Sequence, residues 1–115
     1  MAKPSNRTVA YLRNGDYLRR SVGLKDGRSY AHSCSVEVFK SVAYAVEESD
    51  APTTLSEIAE KRELPYTQVN VALEFLKERG LVQIARRRSR AASKTFFEDA
   101  MCEFYAMPDA DRPQE

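Results

Sequence analysis

A chain of 115 residues, 43 % hydrophobic and 30 % charged, has room for one compact domain with a core and not for two of ordinary size. Its net charge of +1 is unevenly spread: seven basic against two acidic residues over 1–32 (+5), five against nine over 33–85 (−4), five against none over 86–94 (+5), and one against six over 95–115 (−5). No run is long enough for a membrane span and the opening residues lack the apolar stretch of a secretory signal, so the sequence predicts a cytoplasmic protein with no membrane partner and local contact with something anionic.

In chain order, residues 1–7 read as a lead-in. Asn14-Gly15 then separates two runs rich in Val, Tyr and Leu, and the pair suits a type I′ turn, which predicts a β-hairpin over residues 8–22. Residues 23–33, GLKDGRSYAHS, read as a loop punctuated by Gly23 and Gly27. Val36, Phe39, Ala43 and Val46 recur at helical spacing behind Ser33 or Ser35 as N-cap, and Ala51-Pro52 marks the helix end.

Thr54-Leu55-Ser56-Glu57 is a capping box opening a short helix over residues 55–62. Leu64-Pro65 forces a turn. The next helix, residues 66–79, places Val69, Ala72, Leu73, Leu76 and Tyr66 on one side at about 100° per residue, with Thr67, Val71, Glu74 and Glu78 opposite and Gln68 and Asn70 flanking them. Gly80 suits a left-handed C-cap. A strand over 81–85 runs into an arginine-rich loop at 86–90, with a short return strand at 91–94. A second capping box, Thr95 with Glu98, opens a final helix that keeps its period to about Met107. Pro108 ends it, and 108–115 reads as a disordered acidic tail.

Two cysteines, Cys34 and Cys102, lie in no metal spacing and are expected to be reduced. His32 is alone, and no nucleophile–base pairing is visible, so no catalytic residue, metal or cofactor is expected.

The run Leu55-Ser56-Glu57-Ile58-Ala59, then Leu64-Pro65, Thr67, Val69, Leu73, Leu76 and Glu78-Arg79-Gly80-Leu81-Val82, resembles the winged helix-turn-helix DNA-binding domains of transcription regulators of the IclR and MarR kinds. The resemblance covers residues 33–107. It implies an α+β, mainly helical fold: a three-helix core plus a β-wing, here with an N-terminal hairpin arm over 1–32 and a C-terminal helix. It also implies duplex DNA binding by a homodimer, formed through the 95–107 helix or the 8–22 hairpin. In such domains the residues after the turn read bases, which points to Tyr66, Thr67, Gln68, Asn70 and Val71. Asn and Gln suit an adenine edge, and Val71 a thymine methyl. Thr54 and Ser56 are candidates for phosphate contact. Arg86, Arg87, Arg88, Arg90 and Lys94 would supply the main charge, and five such contacts give a log–log salt slope of roughly −4 to −5. One departure stands out. The recognition helix carries no Arg or Lys before Lys77, and Glu74 and Glu78 lie on its outer side. The competing reading is a winged-helix protein-interaction or assembly module without DNA binding.

Overall fold

The computed structural model describes residues 7–49, 51–86 and 88–110. Among them the chain forms four helices and two small antiparallel sheets, an α+β arrangement.

The first sheet has three strands in sequential order: β1 (Arg7–Asn14), β2 (Tyr17–Leu24) and β3 (Ser29–Ser35). The hairpin expected over residues 8–22 is present, but its turn lies one residue later than Asn14-Gly15. Asn14 pairs with Tyr17, so Gly15 and Asp16 are the central residues, and Gly15 alone takes a positive φ of 57°. Glycine at the first central position is the arrangement a type II′ turn uses. The segment expected to be a loop over 23–33 is instead the end of β2, a turn and β3. The reason it escapes pattern reading is chemical: SYAHSCS has no apolar alternation, and Cys34 is its one buried residue. Strand β3 holds because β2 supplies its ladder, from Tyr17↔Ser35 to Gly23↔Ser29.

Strand β3 passes directly into α1 (Val36–Glu48), whose N-cap Ser35 accepts a hydrogen bond from the Val38 amide at 3.2 Å. Helix α2 (Leu55–Arg62) has the expected capping box, with Glu57 N donating to Thr54 Oγ1 at 3.1 Å and Thr54 N donating to Glu57 Oε2 at 3.4 Å. It ends on Glu63, a non-glycine residue at φ 53°. Helix α3 (Tyr66–Glu78) ends in a Schellman closure: Leu81 N donates to Leu76 O at 2.9 Å, and Gly80 N to Lys77 O at 3.0 Å, with Gly80 at φ 76°.

The second sheet pairs β4 (Val82–Ala85) with β5 (Arg88–Ala91). The arginine-rich segment is therefore not a loop through residue 90, and the return strand starts at Arg88 rather than 91. A short bridge adds Thr53 to its edge: Thr53 N donates to Ser89 O at 2.9 Å, and Ser89 N to Thr53 O at 2.6 Å. Helix α4 (Phe96–Ala106) follows. Its expected capping box is absent. Thr95 sits at ψ 35°, outside the extended geometry an N-cap needs, and its hydroxyl donates to Asp99 at 3.0 Å. Glu47 of α1 accepts from the Phe97 amide instead, at 3.2 Å.

One core joins both sheets to the helices. Phe39 meets Phe75 and Phe104 at ring distances of 5.9 and 5.0 Å, and Leu18, Cys34, Ile58, Leu76 and Phe96 are buried around them. Helix α3 lies at its centre, touching β2, β3, β4, α1 and α2. The tail expected to be disordered from 108 is in place through Ala110. Ala110 N donates to Arg13 O at 2.8 Å, and Gly15 N to Asp109 Oδ1 at 2.9 Å; residues 111–115 lie outside the described residues. Among the described residues, no helix is long and apolar enough to cross a membrane.

Candidate nucleic-acid interface

Two local devices aim α3. The capping box fixes the start of α2, and Glu63 with Leu64-Pro65 turns the chain between the helices. The first turn of α3 has Pro65 as N-cap and no side-chain hydrogen bond to its amides. Those free N–H groups, at the positive end of a 13-residue helix, favour an anion. Tyr66 is 60 % exposed there and Thr67 is exposed beside it. Tyr66 therefore does not belong to the core stripe where periodicity placed it.

The opposite correction applies to Val71. Placed on the outer side as a candidate for a thymine methyl, it is 1 % exposed and cannot reach a base. Phe75, four residues on and so on the same side of the helix, is fully buried and meets Tyr11 of β1 edge-on at 5.3 Å. The N-terminal sheet covers this side of α3. A signal was present in the sequence. Val71 and Phe75 form a second apolar pair at i,i+4, away from the main stripe, and Tyr11 and Leu18 in the first hairpin supply a surface to cover it.

Gln68 is half-buried, and its Oε1 accepts from Ser35 N at 3.0 Å, so its amide ties α3 to the start of α1. Asn70 is half-buried and lines a groove of about 240 Å³ with Leu55, Glu74, Lys77, Ile84 and Ser89, between α3 and the β4–β5 hairpin. The polar strip left on α3 is thus Tyr66, Thr67, Asn70, Glu74, Lys77 and Glu78.

The cations divide. Arg86 is exposed at the hairpin turn with φ 52°; Arg87 lies outside the described residues. Arg88 donates to Glu57 Oε1 at 3.2 Å and to Pro52 O at 3.4 Å, so an internal carboxylate already holds it. Arg90 and Lys94 are exposed. Ile84 and Ser89 pair across the hairpin and line the α3 groove, while Gln83–Arg90 and Ala85–Arg88 are the alternate pairs, on its other face. Arg88 and Arg90 therefore do not share Asn70's groove; Arg86, at the tip, is not confined to either face.

At the start of α2, Thr54 has its hydroxyl on Glu57 N, and Ser56 is exposed. The Thr53 hydroxyl (3.1 Å), then the Thr54 amide and Arg88, hold the Glu57 carboxyl below its ordinary value of 4.5. Both cysteines are free; burial pushes the Cys34 thiol up to about 12, while Cys102 is exposed. His32 is exposed beside Tyr30, with ring centres 5.3 Å apart.

No family model, curated protein or solved structure matches this chain.

Proposed function

We propose that the protein is a winged-helix duplex DNA-binding protein, a regulator in which the wing β4–β5 and the first turn of α3 share the contact. One observation carries this reading: α3 begins with uncapped amides beside exposed Tyr66 and Thr67, in a chain whose hairpin places Arg86, Arg90 and Lys94 at the surface. Phosphates suit both features. The Thr53–Ser89 bridge, which fixes the hairpin against the start of α2, supports the same reading.

The mode differs from the simplest expectation. Val71 is buried, Gln68 is occupied by Ser35, and Arg88 by Glu57. The remaining base-reading candidates are Tyr66, Thr67 and Asn70, a short set that favours backbone contact over tight sequence discrimination. With Arg88 set aside, four cations of the basic segment remain, and the salt slope falls to about −3 to −4. The homodimer of the resembled regulators belongs to this reading, with the 95–107 helix and the 8–22 hairpin as its candidate faces.

A second reading has its own observation. The side of α3 that would enter a groove is partly roofed by the N-terminal sheet, and Glu74 and Glu78 stand at the edge of that roof. Both features fit a protein-interaction module. Fluorescence anisotropy with a labelled genomic duplex, at about 50 mM salt, separates the two. The DNA reading expects binding by the wild type and at least a tenfold loss in R86A/R90A/K94A. Absence of binding by folded wild-type protein would overturn it and favour the interaction module.

A further inference from the structure

Where the N-terminal sheet meets α3, a cleft of about 330 Å³ opens between Val9, Tyr11 and Arg20 of the sheet and Glu74, Lys77 and Glu78 of the helix. Its chemistry is unusual for a structural seam. Arg20 is 9 % exposed and lines the cleft, while its Nε donor is closed off from solvent and has no hydrogen-bond partner among the described residues. A buried charged donor without an acceptor is costly. Glu74 lies near enough to interact electrostatically with Arg20, yet forms no ion pair within 4 Å among the described residues. Glu78 sits one turn further along the same side, a like-charge i,i+4 neighbour, and is paired outward with Arg79 at 3.3 Å. Lys77 adds a second cation. The rim is apolar at Val9, which is 42 % exposed on the inner side of β1.

We infer that this cleft is a binding site for a small zwitterion of the free α-amino-acid class. Its carboxylate goes to the edge of the Arg20 guanidinium that lines the cleft and to Lys77. Its ammonium goes to Glu74, with Glu78 behind it, relieving the like-charge pair. Its side chain lies against Val9 and Tyr11. A simple anion would meet two carboxylates and a simple cation two basic groups; a molecule bearing both charges about one carbon apart meets neither conflict. The volume is at the low end of small-molecule sites, which run from about 300 to 1,000 Å³, and so fits a single amino acid rather than a nucleotide. The inference does not depend on DNA binding.

The test is an amide-resonance titration of the wild-type protein with L-leucine, L-methionine and L-phenylalanine, each up to about 10 mM, beside their N-acetyl and carboxamide forms. At least one free amino acid is expected to bind with Kd below about 1 mM, shifting Val9, Tyr11, Arg20, Glu74 and Lys77. Both blocked forms are expected to bind at least tenfold more weakly. Glu74→Gln and Lys77→Gln, at the surface of α3, keep the fold and each lose at least tenfold. Absence of shifts at these residues with all three amino acids overturns the inference. So does equal binding of the blocked forms, or unchanged affinity in both variants.

Discussion

Glu57 joins three pieces of the chain within one turn of α2. Its amide donates to the Thr54 cap, and its carboxylate accepts from Thr53, Thr54 and Arg88. These partners all favour the ionised form, so its folded pKa lies below the ordinary 4.5. The sign of the linkage follows. A carboxyl with a depressed folded pKa contributes stability that is complete above the unfolded value and is lost as pH falls through the folded one. Glu57→Gln keeps the size and an acceptor oxygen but removes the charge. It should be less stable than the wild type at about pH 7, and the gap should be narrower at about pH 3, below the ordinary 4.5. Urea midpoints at the two pH values measure this directly. A gap of the same size at both would mean that the carboxylate charge contributes nothing through these bonds. Arg88 stands at the other end of the pair, which is why an arginine in a basic run is not automatically a phosphate contact.

At the scale of elements, what the sequence made legible follows from how local each signal is. The capping box of α2, the glycine closure of α3 and the helical period of α1 depend on residues within a few positions of one another, and each is found where it was read. Strand β3 and the buried side of α3 depend on partners at a distance. Ser29–Ser35 becomes a strand through β2, and Val71 and Phe75 become core through Tyr11 and the sheet. A helical wheel identifies one apolar stripe well, but it cannot show whether a second element covers the other side. The Thr95 box fails for a related reason: Glu47, about fifty positions away, takes the amide that a local cap would have served. The burial of α3 gives a quantitative expectation. Phe75→Ala should cost about 3–5 kcal/mol, by lost burial and the cavity left behind. Tyr66→Ala, on the exposed first turn, should stay within about 0.5 kcal/mol. Equilibrium urea unfolding of both variants checks the pair, and a small loss in Phe75→Ala would mean the sheet does not cover this side of α3.

For the molecule as a whole, the division into an arm over 1–32 and a domain over 33–107 meets a physical difficulty. Composition suggests it, because charge changes sign near residue 33. Packing does not respect it. Leu18 of β2 and Cys34 of β3 belong to the same buried cluster as Phe39, Phe75 and Phe104, and Ala110 is tied back to Arg13. Removing residues 1–32 would take away Leu18 and Tyr11 with β1, β2 and the first four residues of β3, and would expose Val71 and Phe75 to water. Each large side chain uncovered forfeits about 1.5–3 kcal/mol. The two side chains uncovered, together with the burial that Leu18 and Tyr11 no longer contribute, are of the order of the whole stability of a typical domain, about 5–15 kcal/mol. A chain of residues 33–110 should therefore lose cooperative thermal unfolding while keeping part of its helical circular dichroism, and should bind a hydrophobic dye that the full chain does not. If that fragment instead melts in one sharp transition with full helical signal, the sheet is an accessory laid over a self-sufficient helical domain. The roof over α3 would then be removable, and its outer side would become available to a groove after all.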